Sequence, residues 1–185
     1  QFINIPFELY DAVPGLILTG FFSALVAFIF MKSLLYHSKI SSSLHLPFCY
    51  RPFIPAVICG VIGIFLPQVI GLGSETISSV ITTIYPIQFL LLLLILKIFL
   101  SSLCIGFGLF GGVLSPAMLI GVCCGAIIYN LSFFGDNESL NAILAISGMA
   151  AVSSSVIGAP ITAIVLVFEL TGSYNYAIAS IFPIA

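Results

Sequence analysis

Charged side chains are scarce in this sequence. Four residues are Lys or Arg and six are Asp or Glu, which together make up 5% of the 185 residues. Soluble domains carry about 25% charged residues, so this composition excludes a soluble globular domain. The formal net charge of -2 and the lack of a basic patch also exclude nucleic acid as a partner.

Alternation of polar and apolar residues is missing as well. The chain is 61% hydrophobic with a mean hydropathy of +1.32, and its apolar residues stand in continuous runs. The strands of a membrane β-barrel alternate, so we predict an all-α integral membrane protein, multi-pass, in a plasma or inner membrane, with the lipid bilayer as its surroundings. A spanning helix needs about 20 residues, and roughly six to eight segments, some of them short, fit the sequence.

Patterns for metal binding are absent from the sequence. Its two histidines, His37 and His45, fall in residues 32–52, which hold three basic residues and are predicted to form a polar cytoplasmic connection; an extension of the preceding helix to about His37 is left open. No carboxylate accompanies these histidines, so no metal or catalytic role is assigned to them. The five cysteines lack metal-ligand spacing and are interpreted as small buried residues. We therefore predict no cofactor, no metal ion and no catalytic residue.

What the sequence does contain is a series of apolar segments interrupted by small residues. Gly and Pro interrupt residues 53–70, residues 106–112 and residues 154–160. Several intervening segments are too short to cross about 30 Å of hydrocarbon at about 1.5 Å per residue. Broken backbone at membrane depth is tolerated only beside protein or water, and it is typical of transport sites.

The most informative interruption is the sequence GGVLSP at residues 111–116. Its two glycines permit backbone conformations that other residues avoid. Ser115 is a good helix cap and Pro116 then takes the first helical position, so we predict that a helix begins here at membrane depth. Its unpaired N–H groups and positive dipole end can hold an anion without a charged side chain; a simple turn between helices is the alternative. The candidate anion-binding residues are Gly111, Gly112, Val113, Leu114, Ser115 and Pro116.

Three stretches in order resemble motifs of the chloride channel (CLC) family, which comprises anion channels and anion/proton exchangers. Residues 111–116 resemble the family's GGxFxP anion-site motif. Residues 146–151, ISGMAA, resemble its AGMGA-type segment, and residues 158–171 resemble its RAPLTG…LVxExT stretch. Because the spacing also agrees, and most sharply over residues 97–176, the chain is identified as similar to the C-terminal half of a family member.

This resemblance implies a fold of broken, tilted helices in two inverted repeats. Residues 1–185 would form a partial transmembrane domain, comprising the last helix of the first repeat and most of the second, with the N-terminal half missing. The implied function is transport of chloride or a similar small anion by a homodimer of the full-length protein, as a voltage-gated-type channel or a proton-coupled exchanger and not as an enzyme. By family likeness, the backbone N–H groups of Val113 and Leu114 would bind the anion, and Gly111 and Gly112 would permit its close approach.

Some positions depart from the family pattern. The family commonly has Phe at the position of Leu114, and often a small residue at that of Phe107. The serine motif GSGxP and the GxEGP motif with its gating glutamate are not found in this sequence, so no gate or proton relay is assigned.

Two charged residues in apolar surroundings are further candidates. Lys97 lies within an apolar helix, where an intramembrane cation is a functional candidate by default. It would raise the local anion potential or pair with a carboxylate such as Glu169; snorkelling or an internal structural bond is the favoured alternative. Glu169 ends a short apolar segment and is either a coupling carboxylate or, preferably, a structural acceptor.

Small and hydroxyl residues have packing explanations. Gly121 and Gly125 form a GxxxG pattern that predicts close helix packing, with a dimer contact as second choice. The serines at residues 153–155 would line an aqueous path or, preferably, allow helices to approach. Two alternative functions remain: a non-transporting membrane helical fragment that needs a partner half, and, with less support, an intramembrane serine hydrolase that uses Ser147 or this serine cluster.

Overall fold

The computed structural model describes residues 8–43, 50–71, 73–109, 111–131, 138–172 and 174–184. In these ranges every regular element is helical, with one short 3₁₀ turn at Pro67–Val69 and eight α-helices. The helices are α1 (Glu8–Ser43), α2 (Phe53–Phe65), α3 (Ser74–Thr82), α4 (Ile87–Gly106), α5 (Leu114–Leu131), α6 (Glu138–Ile157), α7 (Pro160–Thr171) and α8 (Tyr174–Ile184).

Four of these helices are long and apolar enough to cross a bilayer. They are the apolar parts of α1 and α6 together with all of α4 and α5. Helices α2 and α7 have 13 and 12 residues and are apolar but shorter. The chain is thus an integral, multi-pass membrane protein, and the predicted mixture of long and short segments is confirmed.

Helices α5 and α6 form the centre of the fold. Inside the protein, 72% of the spanning window of α5 and 78% of that of α6 are buried, against 39% for α1 and for α4. Gly121 and Gly148 bring the two helices together, because a Cβ atom on Gly121 would meet the Gly148 carbonyl oxygen and lie 2.6 Å from Met149 Cα. The GxxxG pattern of Gly121 and Gly125 therefore serves close packing within the chain.

The other helices surround this pair. Helix α1 packs against α4, α5, α6 and α8, and α3 packs against α5 and α6. Helix α2 lies at the edge, where its contacts are mainly with α4 and with the 3₁₀ turn. This arrangement leaves a cleft between α2, α4 and the start of α5, which contains the candidate site.

Two helices extend further than predicted. Helix α1 continues to Ser43, beyond the extension to about His37 that the sequence left open and into the predicted polar connection; residues 44–49 lie outside the described ranges. At 36 residues it is about 54 Å long and exceeds the hydrocarbon thickness. Its polar end therefore extends beyond the hydrocarbon while remaining helical. Helix α6 continues to Ile157, and the second break shrinks to Gly158 and Ala159.

The breaks fall at residues that the backbone geometry explains. Gly158, between α6 and α7, has a φ of 74°, and Gly172, after α7, has a φ of 62°. Residues with a side chain rarely adopt this left-handed region, whereas glycine adopts it readily. Glycine therefore ends both helices. Pro55 does not interrupt α2, because it is the third residue of that helix, where its missing N–H group has no partner to lose.

Candidate functional site

The connection between α4 and α5 is a tight turn followed by an extended segment. The Phe107 and Leu109 N–H groups donate to the carbonyl oxygens of Leu103 and Cys104 at 3.0 Å each, which ends α4. Gly108 has a φ of 87° and provides the left-handed residue of this turn. Gly111 and Gly112 do not have positive φ angles, so the predicted conformational reason for these two glycines is wrong.

Helix α5 begins at Leu114, one residue before the predicted cap Ser115. The first helical bond runs from the Ala117 N–H to the Val113 carbonyl oxygen at 3.2 Å. Pro116 is therefore the third helical residue and not the first, a position where no helical bond is lost either. The N–H groups of Val113 and Leu114 precede that first bond, so helix geometry gives them no partner within α5.

A cleft of about 400 Å³ lies in front of this helix start. Four of the six predicted residues line it, namely both glycines, Ser115 and Pro116, whereas the half-buried Val113 and Leu114 are not among its lining residues. Apart from each glycine and its chain neighbours, no described atom lies within 4 Å of the position that a Cβ would take on Gly111 or Gly112, so both glycines leave open space. The other lining residues are Cys59, Val69, Ile70, Gly71, Lys97, Leu100, Ser101, Cys104 and Ile105.

Lys97 lines the same cleft and is 4% exposed. Its Nζ donates to the carbonyl oxygens of Val69 at 2.9 Å and Gly71 at 3.0 Å. These two bonds use two of the three ammonium donors and tie α4 to the segment that follows α2. Internal structural bonding, one of the two alternatives that the sequence favoured, is present, and the lysine also lies in the wall of the cleft.

Glu169 does not belong to the cleft. It is exposed on α7 and is not among the lining residues of the cleft. Lys97 donates to backbone carbonyls, and the described residues contain no ion pair between Lys97 and Glu169. The site therefore contains one of the two charged candidates.

His37, predicted in the polar connection or at the end of an extended helix, lies inside α1 and is 9% exposed. Its Nδ1 lies 2.9 Å from the Ser33 carbonyl oxygen and 3.1 Å from the hydroxyl oxygen of Ser102 on α4. The Ser33 hydroxyl donates to the Ser102 hydroxyl at 2.8 Å. The sequence did not predict this polar contact between α1 and α4, because the uncharged apolar run ends before Ser33 and His37. The second histidine, His45, lies outside the described residues.

The serines of α6 do not form part of the cleft. Ser147 is fully buried and donates to the Ile143 carbonyl oxygen at 2.6 Å, so its hydroxyl is not presented as a nucleophile. Ser155 donates to the Ala151 carbonyl oxygen at 2.8 Å. The hydroxyl of Ser153 is buried and has no hydrogen-bond partner among the described residues, and none of the serines at residues 153–155 lines the cleft.

The structure also brings together two cysteines that the sequence did not connect. Cys59 Sγ lies 3.2 Å from Cys104 Sγ, and both residues line the cleft. A separation of 45 residues gives no sequence signal for such a pair. Among the residues that the structure describes, no group of three or more His, Cys, Asp or Glu side chains is placed to hold a metal ion.

Comparison with known proteins adds a family to this geometry. The family described as "Voltage gated chloride channel" matches residues 3–184, which is nearly the whole chain. An uncharacterised protein of Methanocaldococcus jannaschii is 33% identical over 165 residues, covering 88% of this chain and 40% of that protein. The voltage-gated ClC-type chloride channel ClcB of Escherichia coli is 35% identical over 127 residues, covering 64% of this chain and 29% of ClcB. The chain thus spans less than half the length of these relatives.

Proposed function

Because the chain belongs to the voltage-gated chloride channel family, we propose that it carries the central anion-binding element of a membrane pathway for chloride or a similar small anion. The observation that carries the proposal is the cleft at the start of α5, which is lined by Gly111, Gly112 and the buried cation Lys97. The name of the relative ClcB, a chloride channel, supports chloride as the substrate.

The physical basis of binding is partial charge. The first N–H groups of a helix point outward along its axis and together carry about half an elementary charge. Val113 and Leu114, which lie in the chain between the lining residues Gly112 and Ser115, would provide these groups, and the missing side chains of Gly111 and Gly112 would let an anion in the cleft reach their backbone. Partial charges attract an anion without holding it as tightly as a free lysine in a dry pocket would, which suits turnover.

Lys97 contributes a positive potential in this proposal. Two carbonyl oxygens accept hydrogen bonds from its ammonium group, which moderates but does not cancel the charge. The cation therefore raises the anion concentration in the cleft while α5 supplies the direct contacts. Glu169 is not assigned to the anion site; it remains a candidate coupling carboxylate or a structural acceptor on α7.

The complete pathway needs more than this chain in our proposal. The chain spans 40% of the M. jannaschii protein and 29% of ClcB. We propose that residues 1–185 correspond to the last helix of the first repeat and most of the second, that a preceding half completes the pathway, and that the full-length protein is a homodimer. A channel and a proton-coupled exchanger both fit the site. A membrane fragment that transports nothing without its partner half is the second candidate.

Substitution of Gly112 tests the anion site. A valine side chain at Gly112 enters open space in the cleft, so it blocks anion approach without disturbing packing. We expect Gly112→Val to weaken chloride binding by about tenfold or more, equivalent to about 1.4 kcal/mol, and to lower chloride flux. Binding is measured by calorimetry in detergent, and flux in liposomes, with the protein as its gene encodes it. Leu114→Phe, which restores the family's common residue, is expected to change the affinity as well.

A matched control is available on α2. A Cβ added to Gly60 also meets no described atom from outside its own helix within 4 Å, but Gly60 does not line the cleft. Gly60→Val should therefore leave chloride binding unchanged. Chloride affinity and flux that are equal in Gly112→Val and the parent protein, with equal melting temperatures, would rule out this site.

A further inference from the structure

Two thiols from different helices meet on the wall of the cleft. Cys59 lies on α2 and Cys104 on α4, and their sulfur atoms are 3.2 Å apart, within hydrogen-bonding distance for sulfur. Both side chains are free thiols and half-buried, and both line the 400 Å³ cleft. A small solute that enters the cleft can therefore reach the pair.

The other described cysteines differ in both respects. Cys123 and Cys124 on α5 are free and 0% exposed, and they are not among the lining residues of the cleft. Oxidation of a thiol requires access by the oxidant. Of the four described cysteines, only Cys59 and Cys104 combine access with a neighbouring thiol.

We propose that Cys59 and Cys104 form a reversible dithiol site that a peroxide oxidises to an intramolecular disulfide. One thiolate attacks a peroxide oxygen, the O–O bond breaks, and a sulfenic acid and one water form from hydrogen peroxide. The second thiol attacks the sulfenic sulfur, the S–S bond forms and a second water leaves. The two sulfurs together lose two electrons to the peroxide, and two equivalents of a small thiol restore the pair by exchange.

The geometry requires little movement for this reaction. The sulfur atoms must approach from 3.2 Å to about 2.05 Å, the length of a disulfide bond. Helix α2 lies at the edge of the fold and packs mainly on α4 and the 3₁₀ turn, so a shift of about 1 Å there displaces few neighbours. The new bond would fix α2 to α4 across the cleft that also contains Gly111 and Gly112.

This position gives the site a consequence that rests on the proposed function. If anions pass the start of α5, a disulfide in the wall of the same cleft restricts the movement of α2 relative to α4 and changes the flux. We expect oxidised protein to conduct chloride at least twofold more slowly than reduced protein.

The direct test is peptide mapping by mass spectrometry. The protein as its gene encodes it, in native membranes or liposomes, is treated with hydrogen peroxide, alkylated under denaturing conditions and digested. We expect a linked peptide pair containing Cys59 and Cys104, lighter by two hydrogen atoms than the two thiol peptides, which disappears after dithiothreitol. Cys59→Ser and Cys104→Ser should each abolish it, whereas Cys124→Ser, the buried control, should leave it intact.

Two results would overturn the dithiol site. One is full alkylation of Cys59 and Cys104 after peroxide treatment; the other is linkage of either residue to a different cysteine, including Cys49. The flux measurement is read separately. A disulfide that forms without changing the flux refutes its effect on the pathway, whereas unchanged chloride binding and flux in Gly112→Val refute the proposed function whatever the state of the thiols.

Discussion

The Nζ atom of Lys97 lies 2.9 Å from the carbonyl oxygen of Val69, although 28 residues separate the two in sequence. With the 3.0 Å bond to Gly71, this contact holds the segment between α2 and α3 against α4. The segment closes one side of the cleft that faces the start of α5. A buried cation thus both shapes the cleft and lines it.

Replacing this lysine should weaken the fold. Lys97→Met keeps the length and apolar stem of the side chain but leaves the Val69 and Gly71 carbonyl oxygens without their donor. A hydrogen bond to a charged group contributes about 1.5–3 kcal/mol, and relief of the buried charge offsets part of this loss. We expect the free energy of unfolding, measured in detergent, to fall by about 2 kcal/mol.

Lys97→Gln separates the roles of bonding and charge at this position. The amide retains a donor while the charge is lost, so we expect a smaller loss of stability than in Lys97→Met. Because both variants lose the positive charge, we expect both to lose chloride affinity to a comparable extent. Stability that is unchanged or higher in Lys97→Met would mean that the cost of burying the ammonium outweighs its two bonds.

Local patterns in the sequence predicted much of the helical order. The helices that begin at Ser74 and Ile87 directly follow Gly73 and Pro86, residues that mark helix boundaries in a sequence. Helix α7 likewise ends at Thr171, directly before Gly172, a residue typical of helix ends. These are signals carried by neighbouring residues, which a sequence displays directly.

Contacts between distant segments were beyond such patterns. The apolar run ends near Met31, so the following polar residues suggested a connection, yet α1 continues and buries His37 against Ser102 of α4. The bonds of Lys97 and the approach of Cys59 to Cys104 likewise join residues more than 25 positions apart. Those depend on how helices pack, which hydropathy does not specify.

The contact between α5 and α6 should tolerate no added carbon atom. A Cβ on Gly148 would meet the Gly121 carbonyl oxygen and lie 2.9 Å from the Gly125 nitrogen, and both contacting groups are helix backbone. We therefore expect Gly148→Ala to force the helices apart and to lower the free energy of unfolding by at least about 2 kcal/mol.

Gly60→Ala is the matched control for this substitution. Gly60 is also inside a helix, α2, but in the part of the protein that the structure describes no atom from another element lies within 4 Å of a Cβ placed on it. Because alanine favours helix by about 0.5–1 kcal/mol over glycine, this variant should be equal to or more stable than the parent. Both are compared by denaturant unfolding in detergent; equal stabilities for the two variants would contradict the close contact.

The contact between His37 and Ser102 should stabilise the packing of α1 on α4. Ser102→Ala removes a fully buried hydroxyl that lies 3.1 Å from His37 Nδ1 and accepts a bond from Ser33. Loss of these bonds inside the protein costs about 1–2 kcal/mol. We expect the unfolding free energy to fall by that amount, and the exposed Ser78→Ala on α3 to change it by less than about 0.5 kcal/mol. A Ser102→Ala variant as stable as Ser78→Ala would argue against the bonded cluster.

The effect of replacing Asn141 on the free energy of unfolding should depend on the hydrogen-bonding groups of the new side chain more than on its size. Its Nδ2 donates to the Val80 carbonyl oxygen at 3.0 Å, near the end of α3 where carbonyls lack helical partners. Its buried Oδ1 accepts no hydrogen bond from the described residues.

Asn141→Leu loses the donor but also removes this unsatisfied oxygen, so the two effects nearly cancel and we expect a change below about 1 kcal/mol. Asn141→Asp loses the donor, keeps the oxygen and opposes a second acceptor at Val80, so we expect a loss above about 2 kcal/mol. Denaturant unfolding of both variants at neutral pH measures the difference, and a Leu variant less stable than the Asp variant would show that packing and not hydrogen bonding dominates at this position.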